Sequence, residues 1–299
     1  MKVSVAICTH NRSKDTKEAV ESVIANSAGH DDYEVIVVDN LSTDDTAAAV
    51  KALQKRYGRK VRYVYEKELG LSVARNRAIR EAKGSYILFL DDDALATPGW
   101  MGAIVDVFES DPSIGCVGGK IDPVWESAEP DWIPEEHRSV FTILDFARTV
   151  TEMEAPSIPY GANVAFRREL FHDIGGFRED LGRKGSKLLS SEESELIARL
   201  QQTHKVYYTP YGCVQHKIAK ERATRKWFLK RMFWQGVSDA VRREDTSIFA
   251  VVKHIIRLLQ AVVSMLPAVF RPKAMIRQLV RICYRNGSLV GILRYGGRS

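Results

Sequence analysis

The sequence lacks the cysteine pattern of a zinc knuckle or of a disulfide-stapled module. Its four cysteines are scattered over 299 residues with no CxxC spacing, whereas such sites bring cysteines together in the chain. It also lacks compositional bias, since 45% hydrophobic and 27% charged residues are ordinary values for a folded protein. Disulfide scaffolds, collagens and disordered chains are therefore excluded. A reducing cytosol fits this cysteine usage.

Two glycine-rich nucleotide motifs are also missing. No GxGxxG follows the first apolar run, and no GxxxxGK[ST] occurs anywhere, which disfavours dinucleotide dehydrogenases and P-loop NTPases. The glycines of the run 115–119 have a different spacing, and we interpret them as a tight turn. The N-terminus shows no apolar core and cleavage site of a secretory signal, so we expect the protein to stay in the cytoplasm.

Charge divides the chain into two unequal parts. Residues 1–216 carry 26 basic and 34 acidic side chains, whereas residues 217–299 carry 18 basic and only 4 acidic ones. An acidic body with a basic tail indicates an anionic partner for the tail. A solvated basic face is the alternative interpretation.

The longest apolar segment, residues 248–270, is interrupted by Lys253, His254 and Arg257. A charge at the bilayer centre costs about 2.5–3.5 kcal/mol, so we do not expect this segment to span a membrane. Lys253 and Arg257 share one side of a helical wheel and apolar residues occupy the rest, which is typical of a helix lying in a membrane interface. The alternative is a helix packed on the protein body.

Short apolar runs alternate with amphipathic helices over the first 120 residues. The pattern predicts strands at 3–8, 34–38, 61–65 and 86–90, with helices at 17–24, 47–53 and 74–82 between them. Strands separated by helices predict an α/β fold with a mainly parallel sheet covered on both faces. Prolines then punctuate an irregular stretch, and a further helix is predicted at 192–200.

Three consecutive carboxylates, Asp91, Asp92 and Asp93, follow the fourth predicted strand. In an open α/β sheet the ligand crevice lies beyond the carboxyl ends of the strands, so these residues are expected at a ligand site. Adjacent carboxylates repel one another unless a cation joins them, and oxygen ligands suit Mg²⁺ or Mn²⁺, which in turn suit a diphosphate. The alternative is an acidic turn that caps the next helix.

Polar residues also follow the first two predicted strands. Thr9 and Asp39 could hydrogen-bond a base or ribose, and Arg12 could face a phosphate. Because the ends of parallel strands meet at one sheet edge, these residues are expected near the three carboxylates. Taken singly, Asp39 is more typical of a turn or helix cap.

Five motifs in order along the chain resemble glycosyltransferase family 2, the inverting enzymes with the GT-A fold. They read VSVAICTHNR, EVIVVDNLSTDDT, GLSVARNRA, AKGSYILFLDDD and GANVAFRR. Each motif alone is weak, but their order is specific. The resemblance runs from residue 3 to about 216.

The resemblance implies a role for several donor-side residues. Thr9, His10 and Asp39 would hold the nucleotide base, and Arg75 would lie near the donor. Asp91 and Asp92 would lie near the ribose and diphosphate. Residues that would hold the metal, Mn²⁺ or Mg²⁺, are Asp93 and His216.

On the acceptor side, the resemblance places an acidic pair at the start of a helix. Here the pair is Glu192 and Glu193, and Glu193 takes the position of the family's aspartate as the base. Since glutamate is longer by one methylene, the backbone is set back or Glu192 shares the role; a helix N-terminal charge is the alternative. Gly161 and Asn163 would belong to the acceptor-side loop.

These motifs predict a GT-A domain over residues 1–216, with a nucleotide-sugar half (1–120) and an acceptor half (121–216). Residues 217–299 would form a basic, amphipathic helical extension. It resembles tails of bacterial and archaeal members that act on lipid-linked glycans, and it lacks the QxxRW signature of processive synthases. We expect it to hold the protein on the inner face of the cell membrane and not on nucleic acid.

The predicted activity is single-sugar transfer from a nucleotide diphosphate donor, by family habit a UDP-sugar, to a hydroxyl of a glycan or lipid-linked acceptor. A metal-dependent inverting displacement needs a base near that hydroxyl. Two alternatives stay open. One is a sugar-1-phosphate nucleotidyltransferase, which would open with a glycine-rich loop; the other is a non-catalytic membrane-bound module.

Overall fold

Strands and helices alternate through the first half of the chain in the computed structural model, which describes residues 1–27, 29–185, 187–244 and 246–295. The strands are β1 (Val3–Thr9), β2 (Tyr33–Asn40), β3 (Val61–Glu66), β4 (Tyr86–Leu90), β5 (Ala94–Ala96), β6 (Ile114–Trp125), β7 (Thr151–Glu152), β8 (Asn163–Arg167) and β9 (Lys205–Ile218). The α-helices are α1 (Ser13–Ala25), α2 (Thr46–Tyr57), α3 (Leu71–Glu81), α4 (Trp100–Ser110), α5 (Phe171–Ile174), α6 (Glu192–Leu200), α7 (Arg225–Arg243), α8 (Ile248–Val263) and α9 (Pro272–Tyr295).

The strands form one mixed sheet in the order β3-β2-β1-β4-β8-β6-β9-β5, with β7 added beside β9. Strands β1 to β4 are mutually parallel where they pair. Strand β8 runs antiparallel to both β4 and β6, and β9 runs antiparallel to β5 and β7. The predicted α/β architecture and its four first strands are confirmed.

Burial explains why the parallel strands were readable from sequence. Every residue of β2 is buried, and β4 is buried throughout, as expected for central strands with helices on both faces. These strands carry the β-branched and large aliphatic side chains that form the core. Polar groups are therefore confined to the strand ends, where the candidate site lies.

The prediction of a tight turn at residues 115–119 is wrong, because this run lies inside β6. A Cβ atom on Gly119 would lie 1.9 Å from the carbonyl oxygen of Gly212 and 2.3 Å from Asn163 Nδ2. A Cβ atom on Gly118 would lie 2.2 Å from Cβ of Pro159. Glycine is thus required here by the close approach of neighbouring chain segments and not by a turn.

The described residues divide into two compact units. The first comprises Met1–Val124, Thr142–Glu179 and Glu193–Lys217, and contains nearly all of the sheet. The second comprises Trp125–Phe141, Asp180–Glu192 and the chain from Ile218 onward. The domain division predicted at residue 216 stays a prediction. Of the predicted domains, residues 28, 186, 245 and 296–299 lie outside the described residues.

Helices α7 and α9 of the second unit touch backbone to backbone. A Cβ atom on Gly236 would lie 2.0 Å from the carbonyl oxygen of Tyr284, and one on Gly287 would lie 1.9 Å from that of Phe233. The contact also brings the Tyr284 hydroxyl to Asp239, to which it donates at 2.6 Å. Small residues therefore determine how closely these two helices pack.

Helix α8 presents most of its surface to solvent. Ala250 and Ala261 are buried, while large apolar residues along the rest of the helix are exposed. Its first turn is capped by Ser247, whose hydroxyl accepts from the Ala250 amide at 3.2 Å. Among the described residues, no helix has the length and apolar character needed to cross a membrane.

The Gly287→Ala variant tests the close packing of α7 and α9. In an ordinary helix interior this change stabilises the protein by about 1 kcal/mol. Here we expect the opposite sign, a loss of about 1–3 kcal/mol, because the new methyl group overlaps the Phe233 carbonyl. Urea unfolding measures the change, and a more stable variant would contradict the packing described here.

Candidate active site

The three aspartates lie at the carboxyl end of β4, beside the ends of β1 and β2. Asp92 and Asp93 are buried, and Asp91 is partly exposed. The Thr9 hydroxyl, at the end of β1, donates to Asp92 Oδ2 at 2.8 Å. Convergence of strand ends thus brings the predicted residues together at one sheet edge.

A guanidinium occupies the position between two of these carboxylates. Arg12 Nη1 donates to Asp93 Oδ2 at 2.7 Å and to Asp92 Oδ1 at 3.2 Å. Although burial opposes its charge, the carboxylates of Asp92 and Asp93 raise the pKa of Arg12. Arg12 thus contacts two of the aspartates in the structure, and its predicted position facing a phosphate stays a prediction.

The Asp92 carboxyl has a raised pKa. Burial raises its pKa to about 7, even though the Arg12 charge acts in the opposite direction. The charges of Asp93 and Asp91 raise the pKa further. A buried acid whose pKa is raised beside other carboxylates is a feature of functional sites.

The end of β2 forms the second part of the site. Asp39 is buried, and its Oδ1 accepts from the Ser42 amide at 3.0 Å while its Oδ2 accepts from the Tyr63 hydroxyl at 2.8 Å. His10 is exposed, and its Nδ1 lies 2.8 Å from the carbonyl oxygen of Asn40. Asp39 and His10 thus flank the loops that follow β1 and β2.

The acceptor-side and donor-side carboxylates meet at Arg75. This side chain on α3 is only 2% exposed; its Nη1 donates to Glu193 Oε1 at 2.9 Å and its Nη2 lies 3.4 Å from Asp91 Oδ1. Its guanidinium also lies 5.4 Å from the ring centre of Phe177. One buried cation therefore bridges the candidate base and the aspartate group.

Gly161 lies directly against this bridge. A Cβ atom at Gly161 would lie 2.0 Å from Glu193 Oε1 and 2.2 Å from Arg75 Nη2. The glycine predicted from sequence thus leaves room for the ion pair. Glu192, the other member of the acidic pair, is buried at the start of α6, and Glu193 accepts from Arg75.

Asp93 and His216 form the candidate metal-binding pair. Strand β5 pairs with β9 so that Ala94 stands opposite His216, and His216 Nε2 lies 3.2 Å from Asp93 Oδ1. Two ligands at right angles around an ion with bonds near 2.1 Å are about 3 Å apart, so the spacing fits Mg²⁺ or Mn²⁺. His216 Nδ1 is buried without a hydrogen-bond partner among the described residues.

A metal at this pair would need further ligands from outside the protein. In the described part of the chain, no group of three or more His, Cys, Asp or Glu side chains is arranged to hold an ion. A two-residue site is nevertheless typical of Mg²⁺ sites, which are completed by substrate phosphates and water. The residues present therefore fit a metal that binds together with a diphosphate.

Asn163 is not brought into the cluster. Its side chain is fully buried; Nδ2 donates to the carbonyl oxygens of Lys120 and Gly212 at 2.9 and 2.8 Å, and Oδ1 accepts from Trp100 Nε1 at 2.8 Å. Because both ends of the Asn163 amide are engaged in these hydrogen bonds, it would influence a sugar acceptor only through the backbone segments that it holds in place. This asparagine joins three chain segments around β8.

Two supporting residues were missed by sequence analysis. Asn40 donates to the Glu68 carbonyl oxygen at 2.6 Å and accepts from the Gly70 amide at 2.8 Å, so it fixes the loop that leads into α3 and Arg75. Tyr63 orients Asp39. The asparagine of the VDN motif was a visible signal, whereas a tyrosine in the middle of a strand gave none.

The chain belongs to glycosyl transferase family 2, whose family model matches residues 4–175. It is 31% identical over 248 residues to a glucosyl-dolichyl phosphate glucuronosyltransferase of Haloferax volcanii, an alignment that covers 81% of this chain and 77% of the relative. It is 23% identical over 239 residues to the succinoglycan biosynthesis protein ExoM of Rhizobium meliloti, covering 78% and 72%. The protein is therefore a nucleotide-sugar-dependent glycosyltransferase, as the motifs predicted.

Solved structures show the same fold. A mannosyltransferase of Pyrobaculum calidifontis, solved with GDP-mannose and Mn²⁺, superimposes with a TM-score of 0.62 at 20% identity over 95% of this chain and 86% of that one. GalNAc-T7, solved with UDP, GalNAc and Mn²⁺, gives a TM-score of 0.58 at 19% identity, covering 82% of this chain and 51% of that one. The predicted GT-A fold is confirmed.

The Gly161→Ala variant tests the bridge at Arg75. Because Gly161 and Arg75 are both buried, the new methyl group has to displace the ion pair, and we expect a stability loss of about 1–3 kcal/mol. Transfer should fall at least tenfold, because a displacement of about 1 Å in a catalytic group is costly. Steady-state kinetics and thermal unfolding measure the two effects. Wild-type kinetics would show that the bridge does not matter for transfer.

The Arg12→Gln variant tests the cation between Asp92 and Asp93. Without added metal we expect a stability loss of about 1–3 kcal/mol, because buried carboxylates lose their charged donor. Mn²⁺ alone should raise the melting temperature of this variant more than that of the wild type, because Arg12 no longer competes for Asp93. Arg59→Gln, at an exposed arginine, is the matched control. Equal Mn²⁺ responses in all three proteins would contradict the competition.

Proposed function

We propose that the protein transfers one sugar, with inversion, from a nucleotide diphosphate donor to a hydroxyl of a lipid-linked glycan. The observation that carries this proposal is the Arg75 bridge, because it holds Glu193 within one guanidinium of Asp91. An inverting displacement needs its base and its leaving diphosphate on opposite sides of one sugar. The carboxylate that acts as the base and the carboxylate beside the diphosphate must therefore be close together, but separated by enough space for the sugar.

The donor is proposed to lie across the carboxyl ends of β1, β2 and β4. Asp39 and Thr9 supply acceptor and donor groups for a base and ribose, with His10 beside them, and UDP is the favoured nucleotide by family habit. Arg12 and Arg75 are the cations available to a diphosphate. Mn²⁺ in two structural neighbours, one of them with UDP, supports a metal at Asp93 and His216.

When bound, the metal would neutralise charge on the departing diphosphate. The protein's own residues then have separate tasks. Glu193 accepts the proton of the acceptor hydroxyl, and Arg75 orients that carboxylate. Gly161 leaves the space that lets both side chains approach, and Asn163 holds the start of β8 beside the end of β4.

The acceptor is proposed to be a glycan carried on a membrane lipid, as the name of the Haloferax volcanii relative indicates for that protein. The basic extension supports this proposal, because it would hold the protein at the cytoplasmic leaflet where such an acceptor is presented. The transferred sugar is proposed to be a hexose. UDP-glucose and UDP-glucuronate are therefore the first donors to compare.

The Glu193→Gln variant tests the proposed base. Transfer should fall by about 10²–10⁴-fold, which is the usual contribution of general-base catalysis. Donor binding should be nearly unchanged, because the amide keeps the size of the side chain. A saturating donor with Mn²⁺ should still raise the melting temperature by about 5–10 °C, as expected for ligand at 100 times its Kd.

Glu192→Gln is the matched control for this test. If Glu193 is the base, Glu192→Gln keeps most of the transfer activity. A large loss in Glu192→Gln with activity retained in Glu193→Gln would assign the base to Glu192. Loss of both transfer and donor binding in Glu193→Gln would show that Glu193 has a structural role only.

A further inference from the structure

The last two helices of the second unit concentrate positive charge, and one of their arginines, Arg277, is paired with Glu136. Residues 246–299 contain nine lysines and arginines and no aspartate or glutamate. Across the described parts of the chain, no ion pair joins Arg257, Arg281 or Arg285 to a carboxylate. A surface ion pair contributes only about 0–1 kcal/mol, so these arginines can bind an external anion without losing a strong internal contact.

These cations are close enough to influence one another. Arg285 on α9 donates from Nη1 to His254 Nδ1 on α8 at 3.3 Å. Burial lowers the pKa of Arg285, and the charges of Arg257, Arg243 and Arg281 lower it further. Three other arginines therefore act on this guanidinium, against a smaller opposing effect of Tyr284.

Such a cluster is favourable only when an anion joins it. Like charges repel, and the repulsion is strongest where the side chains are partly withdrawn from water. Guanidinium groups match phosphate in shape and donate to it through two parallel hydrogen bonds. The helix ends account at most for Arg243, which lies in the last turn of α7, where a cation is favoured by the helix dipole.

A wide apolar surface lies on the same helix. Helix α8 and the turn after it expose large apolar side chains, with Phe270 at 92% exposure; they include Phe249, Val252, Ile256, Leu259, Val263 and Phe270. Apolar area of this extent marks an interaction surface. Because the same helix carries Lys253 and Arg257, this surface is complementary to an anionic bilayer surface.

We propose that His254, Arg257, Arg281 and Arg285 form a site for the phosphate groups of anionic bilayer lipids, with the apolar face of α8 inserted beside it. This inference rests on the proposed function in so far as that places the acceptor in a membrane. According to this proposal, the protein attaches to the membrane through this cluster of four residues and not through the net charge of residues 217–299.

Vesicle flotation tests the assignment, using full-length protein and vesicles of phosphatidylcholine with and without phosphatidylglycerol. Each Lys or Arg at an anionic surface contributes about fivefold in affinity, equivalent to about 1 kcal/mol. The triple variant Arg257→Gln, Arg281→Gln, Arg285→Gln should therefore bind the anionic vesicles about 100-fold more weakly. The matched control Lys55→Gln, Arg59→Gln, Arg148→Gln removes the same charge from exposed positions of the first unit and should bind within about twofold of wild type.

A second readout separates lipid binding from a structural role. Relief of repulsion should leave the melting temperature of the Arg257 triple variant unchanged or higher in the absence of lipid. A lower melting temperature, or equal loss of binding in both triple variants, would overturn the proposal. Phosphatidylcholine vesicles carrying only a polyprenyl phosphate form a further arm, and binding to these alone would assign the site to the acceptor lipid instead.

Donor binding distinguishes this inference from the proposed function. Both triple variants should keep the wild-type thermal shift with a UDP-sugar and Mn²⁺. If the wild type gives no such shift but binds anionic vesicles through Arg257, Arg281 and Arg285, the proposed function fails while the lipid site stands. If vesicles bind equally with and without phosphatidylglycerol, the lipid site fails while the proposed function stands.

Discussion

The site depends on the balance between carboxylates collected at one sheet edge and the few cations that hold them. Parallel strands necessarily bring their carboxyl ends together, so the acidic residues after β4 cannot be separated by any change of side-chain rotamer alone. Arg12 and Arg75 resolve this problem in different ways. Arg12 is partly exposed and borders the metal pair, whereas Arg75 is buried and permanently placed. Arg12 can therefore be displaced from the aspartates by an incoming cation, whereas Arg75 holds the carboxylates around it in fixed positions.

The sequence was most informative where one physical requirement dominated. Strands β2 and β4 are buried throughout and β1 is nearly so, and their composition alone reveals them. The second half of the sheet was not readable, because β6 uses glycines where other segments approach closely and β9 continues through Pro210 and Gly212. Taken locally, glycine and proline predict turns and loops and not strands. Only the neighbouring strands show that they serve packing.

The same contrast applies to the site. The aspartates were predictable, because a run of acids directly after an apolar strand falls at the ligand crevice of an open α/β sheet. The contact of Arg12 with Asp93 was not, since it joins residues 81 positions apart. Asn163 was identified by its motif, but its neighbours Trp100 and Gly212 carry no local sign of contact with it. Motifs thus located the chemistry, and tertiary contacts determined which side chains remain available to it.

The packing around Asn163 limits how the sequence can diverge. Gly119 lies against both the Asn163 amide and the Gly212 carbonyl, so a larger residue at position 119 collides with two partners at once. Replacing Asn163 by a smaller residue would relieve one collision and leave the carbonyls of Lys120 and Gly212 without a donor. No single step leads to another well-packed arrangement. These positions are therefore expected to change together in related sequences, because a substitution tolerated at one of them depends on the residues at the others.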